Sequence, residues 1–301
     1  MKKKKVLART SMFLLGAALL LSGCSAKKET ETGKDNKGQG LKWELIVNKS
    51  KIDGKVNIGE FIDDKKGITV GYGGEIHYTE DGGKTWPRAN NESMCRYGVS
   101  IASDKIVAAC GNAGQIRLST DGGKNWSDGG KFLEKNYYVS FVDEKKGWVA
   151  DSYKLAATED GGKTYNEITL PSDFGAVATV YLSPSGTGYV LNAEGKLSIT
   201  KDGGKTWTSK TILPAGEKVN IKTGTMQYAA VKFNDDKNGI AAVINNNGKK
   251  AVFRTEDGGS TWVKEEIPES EAAFGVAISP DGKYISLTGA TNTVSVLKYK
   301  G

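Results

Sequence analysis

The chain has 301 residues, enough for two ordinary domains or for one large all-β propeller or barrel. Its 39 glycines are roughly twice ordinary usage, but 26% charged and 9% aromatic residues with six prolines exclude collagen and general disorder, and three cysteines are too few for a disulfide framework. The formal charge of +7 is gathered at one end: residues 1–23 hold Lys2, Lys3, Lys4, Lys5 and Arg9 and no acid, which leaves 37 Lys+Arg against 35 Asp+Glu and no electrostatic footprint for nucleic acid.

In chain order, the lysine run is followed by a ten-residue apolar stretch, Met12–Leu21. This is the charged region and short apolar region of a secretory signal, too short to span a bilayer. Leu21-Ser22-Gly23-Cys24 comes next and resembles the bacterial lipobox. The resemblance implies that residues 1–23 are removed and that Cys24 is lipidated, placing the protein on the extracytoplasmic side of a cell membrane as a bacterial lipoprotein. Residues 25–40 contain nothing apolar larger than Ala26. With Cys24 they read as a flexible tether (24–40) holding the folded part, 41–301, roughly 20–25 Å from the membrane on average.

Residues 41–47 (LKWELIV) have the alternation of a lone strand. One eight-residue phrase then recurs five times: TEDGGKTW at 79–86, STDGGKNW at 119–126, TEDGGKTY at 158–165, TKDGGKTW at 200–207 and TEDGGSTW at 255–262. Each copy lies between alternating apolar runs, which makes it the turn of a β-hairpin. The head aspartates (Asp81, Asp121, Asp160, Asp202, Asp257) can accept backbone N–H groups of the loop, the Gly-Gly pair allows positive φ, and the closing ring (Trp86, Trp126, Tyr165, Trp207, Trp262) can pin the hairpin between sheets. The phrase resembles the Asp box, or bacterial neuraminidase repeat. One aspartate per loop cannot supply the six oxygens calcium needs, so the boxes are expected to be structural, and no metal or cofactor is implied.

Upstream of the boxes a second pattern of strand, polar turn and strand recurs with turns near residues 64, 103, 144, 185, 236 and 281. Together with the boxed hairpins this predicts four-stranded meanders, the blades of an all-β propeller. The last unit stops after three strands, so strand 41–47 is expected to complete it and close the ring without exposed edges. Six blades are predicted; seven would need a further unit.

In such blades the boxes and the first turns share one face, and the second turns and the blade-to-blade crossovers share the other. That opposite face varies from copy to copy and is the candidate binding face. It is expected to carry Tyr72, Arg88, Arg96, Tyr97, Tyr137, Tyr138, Tyr153, Phe174, Lys222 and Tyr228, a rim suited to a protein segment or a glycan. The alternative is that these side chains only cover the joints between blades.

Sialidases share the box, and that likeness implies an arginine triad, a Tyr–Glu nucleophile pair and an acid Asp. Beyond the signal segment only Arg88, Arg96, Arg117 and Arg254 are available, and the last two sit close to boxes. Asp151, Asp173 and Glu194 could reach the candidate face, but nothing in their spacing pairs them as a glycosidase requires. The lone His77 makes a Ser–His–Asp triad improbable. No catalytic constellation is complete, so an enzyme is the less favoured reading. Cys95 and Cys110, on neighbouring strands, either form a disulfide or remain two buried thiols. Over the whole folded region the chain resembles the box-containing propellers of photosystem II assembly and stability factors, which implies a monomeric protein-binding scaffold without catalysis. The rival is a glycan-binding or glycan-cleaving, sialidase-like propeller.

Overall fold

The computed structural model describes residues 41–90, 92–221, 226–271 and 273–301; the signal segment, Cys24, the tether and Lys222 lie outside the described residues. The chain starts with strand β1 (Trp43–Lys51). Blade one holds β2 (Val56–Phe61), β3 (Gly67–Gly71) and β4 (Ile76–Thr79). Blade two holds β5 (Arg96–Ile101), β6 (Val107–Gly111), β7 (Gln115–Ser119) and β8 (Ser127–Lys131). Blade three holds β9 (Tyr138–Phe141), β10 (Gly147–Ala150), β11 (Leu155–Thr158) and β12 (Asn166–Ile168). Blade four holds β13 (Val177–Leu182), β14 (Gly188–Asn192), β15 (Lys196–Thr200) and β16 (Thr208–Thr211). Blade five holds β17 (Ala229–Phe233), β18 (Gly239–Ile244), β19 (Lys250–Thr255) and β20 (Val263–Glu265). Blade six holds β21 (Ala273–Ile278), β22 (Tyr284–Gly289) and β23 (Thr293–Tyr299).

Each unit is an antiparallel meander, and β1 adds to β23 as the fourth strand of blade six, giving the six-bladed propeller expected from the repeats. Blade one departs from the four-strand rule. Its fourth position is taken by Pro87-Arg88-Ala89, which meets β4 only through Tyr78 N–H to the Pro87 carbonyl (3.1 Å) and Ala89 N–H to the Ile76 carbonyl (2.7 Å). Proline has no N–H to extend that ladder.

The innermost strands are buried along most of their length because neighbouring blades cover both of their faces, whereas an outermost strand such as β16 is exposed throughout. This is why the inner strands read as unbroken apolar runs and the outer ones as polar. The apolar core therefore lies between blades. One example is the stack of Tyr181, Tyr189 and Phe233 across blades four and five, with centroids 5.7 and 4.1 Å apart.

On the axis, all six inner strands surround a cavity of about 20 Å³, with Glu60, Ser100, Ser140, Thr179, Lys232 and Ala277 among its lining residues. That is room for roughly one water. Glu60 and Lys232 form a buried ion pair there at 3.5 Å. Burial pushes the Glu60 carboxyl up to about 7, against the opposing pull of the Lys232 charge.

Ring closure is reinforced at the outer edge. Trp43 Nε1 donates to Glu265 Oε2 (2.8 Å), Arg254 Nε donates to Glu265 Oε1 (3.1 Å), and the Arg254 guanidinium lies 4.0 Å from the Tyr299 ring centre. The first strand is thereby tied to blades five and six. Because Trp43 pairs with Tyr299 and Lys298 reaches Asp64 in the first turn of blade one (3.8 Å), the chain joins the propeller on the box side of its rim.

Candidate binding face

The box face is occupied by its own hydrogen bonds. Thr79 Oγ1 donates to Asp81 Oδ1 (2.8 Å) and accepts the Gly83 N–H (2.9 Å). Asp81 Oδ1 also accepts from the Lys84 and Thr85 amides, and Oδ2 accepts the Thr85 hydroxyl at 2.6 Å. In the second box Ser119 and Asn125 play the parts of the two threonines. These bonds hold all five box carboxyls at about 2. The largest cause is the threonine hydroxyl in four boxes and the Asn125 backbone N–H at Asp121. The first glycine of four boxes also donates to the neighbouring turn, as in Gly82 N–H to the Lys65 carbonyl (2.8 Å). The exception is blade four, whose turn is Ser183-Pro184-Ser185-Gly186.

Four of the five box rings dock on the preceding blade, in keeping with the expected position between sheets. Trp86 Nε1 donates to Ser50 of β1 (2.9 Å), Trp207 Nε1 to the Thr169 carbonyl (3.0 Å), and Tyr165 Oη to the Gly129 carbonyl (2.9 Å). Trp126 packs against the Ile58–Ile68 cluster of blade one, and Trp262 stands edge-on to Phe233 of its own blade.

The opposite face divides the expected rim in two. Tyr72 and Tyr153 are exposed at 38% and 72%, and Arg88 is exposed too. Arg96, Tyr97, Tyr138, Phe174 and Tyr228 are buried and are packing residues, contrary to the expectation of an exposed rim. The reason is local. A bulge between Arg96 and Gly98 breaks the pleat at the start of β5, so Arg96 and Tyr97 are both enclosed. Phe174 packs with Tyr138 and Val177 in one joint, and Tyr228 belongs to the large cluster around blades four to six.

Tyr72, Tyr97, Tyr137 and Tyr138 form a continuous aromatic seam across blades one to three, with successive centroids 6.3, 5.3 and 6.3 Å apart. Desolvation pushes Tyr97 up to about 12 and Tyr138 higher still. Two apolar side chains that the sequence reading passed over are also exposed on this face: Met94 at 40% and Ile221 at 38%. The available signal was an apolar residue inside a polar crossover, as in Asn90–Cys95.

The arginines are engaged elsewhere. Glu92 is gripped by Arg96 and, at 3.0 Å, by Arg117, which reaches this network from mid-strand in β7. Arg254 serves ring closure, and Arg88 donates to the Asn90 and Glu92 carbonyls (2.5 and 3.2 Å). Arg88, Arg96 and Arg117 thus converge on Glu92, Arg88 through the Glu92 backbone carbonyl, so the carboxylate this cluster grips is the protein's own. The candidate carboxylates are likewise occupied: Asp151 accepts the Tyr153 and Lys154 amides, Asp173 pairs with Lys196 at 2.8 Å, and Glu194 faces Lys218 at 3.7 Å. The Lys196 hydrogen bond and charge lower the Asp173 pKa, the wrong direction for a general acid.

Cys95 and Cys110 are two free thiols. The turn runs from Ala102 to Ile106, which sets Cys110 opposite Gly98 and leaves Cys95 beyond the bulge with its thiol on the Tyr72 carbonyl (2.6 Å). Burial pushes the Cys110 thiol up to about 12.

Solved propellers share this architecture. The structure described as YCF48 bound to D1 peptide matches with a TM-score of 0.53 and 16% identity, covering 87% of this chain and 98% of that one. YCF48 from Cyanidioschyzon merolae matches at 0.51 and 20%, covering 85% and 98%. A GH74 enzyme from Niastella koreensis matches at 0.52 and 17%, covering 82% of this chain and 44% of that one. These identities speak for the fold alone. No curated protein matches the chain. The family described as photosynthesis system II assembly factor YCF48 matches residues 131–300, from the outer strand of blade two to the last strand of blade six and more than half of the sequence. By that match the chain belongs to the YCF48 assembly-factor family.

Proposed function

We propose that this protein is a non-catalytic scaffold, lipid-anchored through Cys24 on the extracytoplasmic side of the membrane, that binds a partner protein on the face opposite the Asp boxes. The observation that carries the reading is where apolar side chains are exposed. Of the six large ones among the described residues, Tyr72, Met94, Tyr153 and Ile221 lie in the second turns and crossovers of that face. The other two, Leu41 and Val263, lie near the box-side rim where the chain joins. Attachment and contact surface thus sit at opposite ends of the blades. Family membership supports a binding role, and the relative solved with a D1 peptide is a propeller that holds a protein segment. The engaged carboxylates and arginines give no support to glycan cleavage.

The test is capture of the full lipidated protein from its own membranes, beside a variant carrying Ala at Tyr72, Met94 and Tyr153. A protein captured by the native chain and lost from the variant is the expected result; a glycan ligand, or capture indifferent to the variant, overturns it. In parallel, Cys24→Ser is expected to move the protein from the membrane to the soluble fraction, and retention in high salt would contradict the anchor.

A further inference from the structure

The exposed apolar side chains on the opposite face are not equivalent. Tyr153 stands alone on a turn, whereas Tyr72 and Met94 belong to one constructed surface. The turn carrying Tyr72 and the crossover carrying Met94 are stitched together. Asn90 Nδ2 donates to the Gly74 carbonyl (3.0 Å), Asn90 Oδ1 accepts the Ile76 N–H (2.9 Å), and the Cys95 thiol meets the Tyr72 carbonyl. Arg88 holds the crossover from within through the Asn90 and Glu92 carbonyls, and Glu92 is fixed by Arg96 and Arg117. Gly74 lies so close to the Met94 backbone that a Cβ there would press on both its amide nitrogen and its carbonyl. Beneath Tyr72 the buried Tyr97 ring stands edge-on, backed by the half-buried Tyr137. An exposed aromatic and a thioether are thus held in place before any ligand arrives, so little ordering remains to oppose binding.

Resting on the scaffold reading above, we propose that the Tyr72–Met94 surface over the Tyr97–Tyr137 seam is the anchor site for an extended protein segment that seats one apolar side chain there. Three observations select this occupant. Most neighbouring polar groups are already committed within the protein (the Asn90 amide, Arg88, Glu92 and the Cys95 thiol). Glu75 Oε2 in the Tyr72 turn has no hydrogen-bond partner but is buried, so a sugar would find few of the hydrogen-bonding partners it needs. Two exposed side chains over a half-buried third offer far less than the ~800 Å² per partner of a stable dimer, which disfavours a second copy of the chain. The chain enters the propeller at Leu41, on the box side of the rim, at the other end of the blades from this surface. A rigid aromatic and a methionine with a buried aromatic backing form the kind of small desolvated cluster that dominates the energy of peptide and protein interfaces.

The test is panning of a random-peptide display library on full-length Cys24→Ser protein, followed by affinity measurement of the enriched peptides. Enriched peptides should share an aromatic or aliphatic residue. Tyr72→Ala and Met94→Ala should each weaken them about 10–100-fold at unchanged melting temperature, more than Tyr153→Ala does, whereas Val263→Ala leaves affinity unaltered. Peptides that bind Tyr72→Ala and Met94→Ala as tightly as the native protein overturn the assignment. If they instead lose affinity in Tyr153→Ala, the scaffold reading stands and this site falls; if no peptide is enriched, both fail.

Discussion

The two faces of the propeller are built from the same strands and differ in how their polar groups are used. On the box face the head aspartate of every box bonds to its own loop and to the hydroxyl or amide side chains that flank it, and four of five boxes also bond to the adjacent turn. With those groups engaged, the repeats can stay nearly identical. On the opposite face each crossover has its own length and its own bonds, and Tyr72, Met94, Tyr153 and Ile221 remain exposed. The contrast teaches that repetition here marks a closed structural device, and that contact chemistry is to be sought where the repeat fails.

The strongest way to break that contrast is to disturb a box where backbone meets backbone. Gly162, at φ +87°, faces Gly129 of the preceding blade, and a Cβ would collide with the Gly129 carbonyl and with its own box ring, Tyr165. The outer strand of blade two carries Gly129-Gly130 at this contact, the one blade joint served by a tyrosine box. Gly162→Ala is expected to cost more than ~3 kcal/mol or abolish folding, since strained backbone and overpacking add. Gly203→Ala, at φ +72° with open space around it, should cost only ~1–2 kcal/mol for the left-handed conformation. Equal effects in chemical denaturation would show that the interblade approach is not what demands glycine.

Much of this was legible in the sequence, and the reason is locality. A box needs only its own eight residues to close, so its hydrogen bonds and even its Asn125 variant could be read from residue types. The ring order followed from counting units, and the role of residues 41–47 from the missing fourth strand. Residues at the starts of inner strands resisted the same treatment. Tyr97, Tyr138 and Tyr228 lie where a crossover becomes a strand covered on both sides, and alternation cannot separate a rim from a joint there. At β5 a bulge turns two consecutive residues inward. The same shift, with a turn longer than a tight hairpin, moved Cys110 away from Cys95. The Tyr72–Met94 surface was half visible: Tyr72 was, but Met94 comes into play through bonds between turn and crossover that no sequence spacing reveals.

A second comparison separates residues of one face by burial. Tyr228→Ala, which empties a site in the cluster around blades four to six, should lower stability by ~3–4 kcal/mol. Tyr153→Ala, on a turn at 72% exposure, should stay within ~0.5 kcal/mol of the native protein. Urea melts of the two variants decide whether the opposite face is a single functional surface or a thin exposed layer over packing residues. A mild Tyr228→Ala effect would return that residue to the candidate rim.

The mildest probe is pH, and the box face and the axis respond with opposite signs. The box carboxyls titrate at about 2 in the folded protein against an ordinary value of 3.8. Between those values the unfolded chain binds more protons, so the boxes stabilise the fold above pH 4 and lose that contribution as the pH falls toward 2. Glu60 behaves in the reverse way. Its folded value of about 7 lies above the ordinary 4.5, so the folded state holds the extra proton and stability declines as the pH rises from 4.5 through 7. Thermal melts should therefore be highest near pH 4–5, with a loss on the order of 1–3 kcal/mol by pH 8 that Glu60→Gln removes while leaving the acid limb in place. Asp202→Asn should shallow the acid limb alone. If Glu60→Gln shifted the acid limb instead, the axial carboxyl would already be ionised at low pH, and the Lys232 charge would outweigh its burial.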